Sequence, residues 1–179
     1  MRGGARAQST AARDRVPVVD PAKVEHDKVR FPDLADLLAR LRFSTSDGRI
    51  WLDDQRMLLI HAKSLGALRR EMIEVLGMDV ARGFFTRMGY RAGVHDAQMA
   101  RKGRSKTSLK DIFVVGPQMH CLEGIGVSEA VRLEFDIEHG RHYGEFLWTS
   151  PVEDEEHIRH FSIGDEPACW MQIGYASGF

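Results

Sequence analysis

The sequence predicts an α+β fold: helices with short antiparallel hairpins, leading into an α/β unit that the chain enters late. Three observations carry this. Apolar residues recur at helical spacing between Leu34 and Met99. Turn residues at Asp47-Gly48 and Asp53-Asp54 break that spacing and frame short strands. At Gly126 the period changes from helical to two and holds into Trp148.

Residues 1–29 mix Arg, Ala, Ser, Thr and Pro without periodicity and are expected to form a flexible arm. Leu34, Leu37, Leu38 and Leu41 make one stripe on a helix capped by Asp33. Arg49–Leu52 and Met57–His61 read as a strand pair around Asp53-Asp54. A second helix shows Leu65, Leu68, Met72, Val75 and Leu76 on one face and stops at Gly77. A third runs from Asp79 to about Met99 and contains Gly83, Gly89 and Gly93. Each costs about 1 kcal/mol relative to alanine, so another backbone must pack very close, within this domain or across a dimer.

Arg101 to Lys106 is a polar loop, and Ser108 with Asp111 forms a capping box for a short helix. From Val127, the alternation Val127, Glu129, Val131, Leu133, Phe135, Ile137 and the return from His142 to Trp148 predict a hairpin with an apolar inner face. Ser150, Pro151 and Glu153 together signal a helix start, with Asp154, Glu155 and Glu156 adding an acidic first turn. Glu166-Pro167 opens a last helix, and Tyr175–Phe179 still reads as the inside of an element, so the chain is expected to be a fragment.

With 179 residues, 43% hydrophobic and 28% charged, the composition is that of an ordinary globular protein. A net charge of −1 gives no pull toward nucleic acid or acidic lipid. No apolar run nears the roughly 20 residues of a membrane span, and the N-terminus builds no secretory h-region. Two cysteines, Cys121 and Cys169, make no disulfide scaffold, so a reduced, cytoplasmic setting is expected.

Walker A, Gly-x-Ser-x-Gly and His-Glu-x-x-His motifs are absent. His139 with His142, and His157 with His160, are metal-type spacings without a third ligand; solvent-exposed histidines are the reading adopted. The basic loop lacks interleaved aromatics and reads as solvated. Three segments rich in aromatic and apolar residues, around His120, around Trp148 and from Glu166 to Tyr175, carry a few isolated polar tips. Such a lining suits a small, flat, mostly apolar ligand with one hydrogen-bonding group. Singly, His120 and Trp148 read as core residues. Facing one cavity, a neutral imidazole and an indole N–H would bond a phenolic hydroxyl from two sides.

Four stretches resemble one family: Arg49–Met57, Gly116–His120, Tyr143–Trp148 and Cys169–Tyr175. They are similar to the N-terminal sensory region of sigma-54-dependent activators of phenol and xylene catabolism, over residues 29–179. The resemblance implies an activator-specific segment at 30–125 for dimerisation and sensing. At 126–179 it implies the start of a 4-vinyl-reductase-type ligand-binding domain, an α/β sensor domain truncated at its C-terminus. It implies that His120 and Trp148 hold the phenol hydroxyl and that Phe113, Leu122, Phe146 and Phe179 are apolar pocket positions. Cys169 matches the first of four structural zinc ligands, the others falling past Phe179, and Cys121 has no such role. The implied partners are phenol or another small aromatic effector, a second copy in a homodimer, and the activator's own downstream AAA+ ATPase. No membrane and no nucleic-acid contact is expected for this region.

Two functions follow. One is a sensor in which the effector relieves repression of the ATPase. The alternative is a small enzyme acting on an aromatic or tetrapyrrole-like substrate. A catalyst needs a positioned acid, base, nucleophile or redox cofactor, and the residues proposed for the pocket hold one histidine and no carboxylate. The sensor, with no catalytic residues, is the reading adopted.

Overall fold

The computed structural model describes residues 34–104, 108–136 and 138–179. The arm at 1–29, Asp33, Ser105, Lys106 and Ile137 lie outside them. The first leucine stripe lasts one turn: α1 spans Ala35–Leu38, and Leu41 opens β1, Leu41–Ser44. Leu41 fits a helix by spacing, but pairing with Leu52 takes precedence. β2 (Arg49–Leu52) and β3 (Gln55–Met57) complete an antiparallel sheet in the order β1-β2-β3. β3 ends earlier than its apolar run, because Ile50↔Met57 is the last pair it makes with β2. Leu58, Leu59 and Ile60 are left exposed.

The second helix, α2, covers Ala62–Leu76 and is closed by Gly77, whose φ of +83° favours glycine. Its buried face is not the apolar stripe. Gly66, Arg69 and Ile73 are buried, whereas Leu68, Val75 and Leu76 are exposed. The face is rotated by about one residue because an ion pair and the Glu156 side chain, pressed against Gly66, occupy it.

The long helix α3, Met78–Gly103, joins the two clusters of the core. Ala81 and Phe85 pack with Ile73 and Trp170 near one end. Met99 and Ala100 pack with Leu37, Leu52, Val115, Met119 and Tyr175 near the other. α4 (Leu109–Phe113) starts in the expected capping box: Ser108 Oγ lies 2.7 Å from Asp111 Oδ2, and the Asp111 amide donates back to Ser108 Oγ at 3.2 Å. α5 spans Val115–Leu122. The basic residues here serve the fold: Lys102 pairs with Asp54, and Arg104 with Asp36 at 2.7 Å.

The expected hairpin forms from β4 (Val127–Asp136) and β5 (Arg141–Thr149), with one correction. A register shift between Ala130 and Arg132 marks a bulge at Val131. A bulge reverses which alternate residues face inward. Ser128 and Ala130 are therefore buried, and Val127 and Glu129 are not. α6 covers Val152–Phe161, but Ser150 does not cap it. Its φ is +53°, and Pro151 takes the N-cap place without a side-chain bond.

Glu153, read from sequence as the box glutamate, is buried and serves another helix. Its Oε1 pairs with Arg69 Nη1 at 2.5 Å. Its Oε2 accepts the Met171 amide at 2.7 Å and the Gln172 amide at 3.4 Å, capping α7, Trp170–Gly178. The Arg69 guanidinium also lies 3.8 Å from the Trp170 ring centroid and donates to the Ala168 carbonyl at 2.8 Å.

The mid-helix glycines account for how α7 seats. A Cβ on Gly89 would stand 2.7 Å from the Met171 carbonyl carbon, and one on Gly93 2.8 Å from the Phe179 nitrogen. On α7, Gly174 and Gly178 meet Thr86 and Tyr90 in the same way, each 2.9 Å from a carbonyl carbon. The pairings advance together along both chains, so α3 and α7 run parallel, backbone against backbone. Gly83 is different and meets only the end of the Arg87 side chain. No helix among the described residues is long and apolar enough to cross a membrane.

Candidate ligand-binding site

α5 presents His120 together with Gly116 and Pro117, four and three residues earlier, so all three lie on one helix face. β4 and β5 bring Ser128, Phe146 and Trp148 to the opposite wall, Trp148 paired with Ser128 and Phe146 with Ala130. α4 adds Phe113, α7 adds Tyr175 and Ala176, and Phe179 follows at its C-cap. These ten residues line a small, mostly apolar cavity that is open at its mouth. Phe113 organises the rings: its centroid is 6.0 Å from Phe146 and 5.9 Å, edge-on, from Phe179. Gly116 leaves room for the Phe179 ring, which a Cβ would approach at 3.2 Å.

Five of the six residues read from sequence thus meet: His120, Trp148, Phe113, Phe146 and Phe179. Leu122 does not line the cavity. Two residues beyond His120 is about 200° around a helix, and Leu122 packs on the core beside Val115 and Met119 instead. Sequence reasoning missed Gly116, Pro117, Ser128, Tyr175 and Ala176. A signal existed for two of them, since Tyr175 and Ala176 precede Phe179 by one helical turn.

The polar atoms are few. The indole Nε1 of Trp148 is buried and has no hydrogen-bond partner. Such an orphan donor costs about 1–3 kcal/mol unless something fills its place. His120 is 4% exposed, and burial lowers its pKa to about 4, so the ring is neutral near pH 7. Its centroid lies 4.1 Å from that of Tyr175. Tyr175 gives its hydroxyl to buried Asp96 at 2.8 Å, and burial, reinforced by Asp96, holds that phenol well above its ordinary pKa. Two residues of the lining therefore carry a neutral imidazole and an indole N–H without a protein partner.

This imidazole makes stability depend on pH. The unfolded chain binds the proton near pH 6.5 and the folded chain only near 4, so stability is intact above about 6.5 and falls as pH drops toward 4. The expected loss is on the order of 3 kcal/mol, with the slope removed in His120→Phe. Urea midpoints between pH 8 and 4 check this.

Cys169 stands at the N-cap position of α7 without capping it, and its thiol donates to Asp154 Oδ1 at 2.8 Å. Burial, with Asp154 beside it, pushes the thiol up to about 12. Among the described residues no three His, Cys, Asp or Glu side chains gather as metal ligands. His139 pairs with Asp136 at 2.8 Å, and His157 stacks on Phe161.

Comparison with known proteins places this architecture. Residues 36–136 match the family described as activator of aromatic catabolism. The chain is 39% identical over 147 residues to the phenol regulator MopR of Acinetobacter guillouiae, covering 82% of this chain and 26% of that protein. It is 36% identical over 152 residues to the transcriptional regulatory protein XylR of Pseudomonas putida, covering 85% and 27%. The chain thus spans about a quarter of the length of those relatives. The phenol-responsive sensory domain of the transcription activator PoxR, solved with phenol, superposes with a TM-score of 0.78 at 44% identity, covering 81% of this chain and 72% of that one. A family match over more than half of the residues and a shared fold agree, and the chain belongs to the activators of aromatic catabolism.

Proposed function

We propose that this chain is the effector-sensing region of a transcription activator and that its effector is phenol or a small substituted phenol. The observation that carries this is the orphaned Trp148 Nε1 in the same cavity as neutral His120. A phenol hydroxyl accepts from the indole and donates to the imidazole, while its ring fills the space among Phe113, Phe146 and Phe179. MopR is named as a phenol regulator, and the PoxR domain was solved with phenol, which supports the assignment. In the full activator the effector relieves repression of an AAA+ ATPase carried elsewhere. The enzyme reading has no observation in its favour, since the cavity lining includes no carboxylate.

Titration calorimetry tests the effector. His120→Ala is expected to weaken phenol by about 1–3 kcal/mol, because the hydroxyl loses a buried partner. Toluene should keep or improve its affinity in the larger, less polar space. Equal losses for both ligands, or no phenol binding at millimolar concentration to the unaltered chain, would sink the proposal.

The same reading includes a homodimer. α2 and α3 leave Leu68, Val75, Leu76, Val80, Phe84 and Met88 exposed, an apolar face of the kind that marks association. Sedimentation equilibrium should return twice the 20.2 kDa chain mass, and Phe84→Glu should return the monomer.

A further inference from the structure

We infer that Asp96, on α3 and outside the cavity lining, is a positioning residue for the effector: through the Tyr175 hydroxyl it sets the His120 imidazole that meets the ligand. The inference rests on the phenol reading above and extends the site by a residue that touches no ligand. Of the residues that α3 buries, Asp96 alone is charged. It follows Gly93 by three residues, on the helix face that receives α7. At 8% exposure its carboxyl gives up hydration that a buried acid recovers only through hydrogen bonds. Among the described residues it accepts one, from the Tyr175 hydroxyl at 2.8 Å.

That bond reaches the cavity through His120. A histidine that presents one ring nitrogen to a ligand is ordinarily oriented by a hydrogen bond at the other. Among the described residues no protein group hydrogen-bonds the His120 ring. The imidazole is held by contact instead: the Tyr175 ring lies 4.1 Å away between centroids, tilted by 46°. Tyr175 is itself fixed at both ends. Its backbone sits on Gly93, where a Cβ would stand 3.1 Å from the Tyr175 carbonyl carbon, and its hydroxyl is tied to Asp96. Without the second tie the ring can turn about its side-chain torsions toward the cavity, and the imidazole loses its backing. The contacts run from α3 through α7 to α5, and end at the group that reads the ligand hydroxyl.

The test pairs calorimetry with NMR on the unaltered chain, Asp96→Ala, Asp96→Asn and Tyr175→Phe. Asp96→Ala and Tyr175→Phe should weaken phenol by about three- to tenfold, up to the worth of one hydrogen bond, and leave toluene within about twofold. Asp96→Asn keeps an acceptor for the tyrosine and should bind phenol like the unaltered chain. In a His120→Ala background, Asp96→Ala should cost phenol nothing more. Tyr175→Phe keeps the ring and reports the same link should Asp96→Ala fail to fold. Equal losses for phenol and toluene, or losses that add to that of His120→Ala, would overturn the inference by making Asp96 a stability residue only. The ligand-free chain gives an independent readout, because the Tyr175 ring shifts the NMR signals of the imidazole protons beside it. Those signals should move in Tyr175→Phe and hold in Asp96→Asn; unmoved signals in Tyr175→Phe would also overturn the inference. Failure of phenol to bind the unaltered chain would remove the phenol reading, while the imidazole signals would still decide whether Asp96 sets His120.

Discussion

Gly89→Ala is expected to destabilise the chain by about 3 kcal/mol or more, at or beyond the upper range for an overpacked core. The added methyl would meet the backbone of Met171, 2.7 Å from its carbonyl carbon, and backbone cannot rotate aside as a side chain does. Gly174→Ala, against Thr86, should cost as much. Gly83→Ala is the control, because its methyl meets only the movable end of Arg87. There alanine should stabilise by up to about 1 kcal/mol, its helical advantage over glycine. Urea melts of the three variants decide the matter. Equal effects at Gly83 and Gly89 would show that helix propensity, not the seat of α7, governs both.

Glu153→Gln should cost about 3–5 kcal/mol, because Arg69 is left as a buried, unpaired charge. Both side chains of the pair are nearly inaccessible, at 2% and 1% exposure, so solvent cannot compensate. Burial pushes the Glu153 carboxyl up, while Arg69 and the two α7 amides pull it back. The double variant Arg69→Met with Glu153→Gln should recover much of the loss: no charge is stranded, and glutamine still accepts the α7 amides. A double-mutant cycle from denaturant melts gives the coupling. Additive losses would mean that the two residues act separately.

The sequence made the local parts of this molecule legible. Ser108 and Asp111 sit one turn apart and cap as expected, because the box is complete within four residues. The hairpin was visible in its alternation, and the glycines of the third helix announced a close backbone partner. His120 and Trp148, which line one cavity, were readable as candidates from polar tips within apolar runs, helped by family motifs. What stayed hidden depends on distant partners. Glu153 looked like a capping-box member, yet its partner Arg69 lies 84 residues earlier. That pair also displaced the expected apolar face of α2. Ser128 was hidden because a single bulged residue reverses strand parity, and no rule of alternation foretells a bulge. Tyr175 belongs to the cavity only once α7 is seated on α3.

That seating has a mechanical meaning. Side chains between packed helices act as springs, since rotamers can shift and absorb a displacement. Between α3 and α7 the glycines remove the springs, leaving backbone on backbone. The joint therefore has low compliance: a push on Tyr175 or Phe179 at the cavity moves α7 and α3 as one body instead of dissipating in local repacking. α3 has 26 residues, and at 1.5 Å per residue it is a rod about 39 Å long. The stiffened stretch, from Thr86 to Gly93, thus lies in the middle of that rod and not at either end.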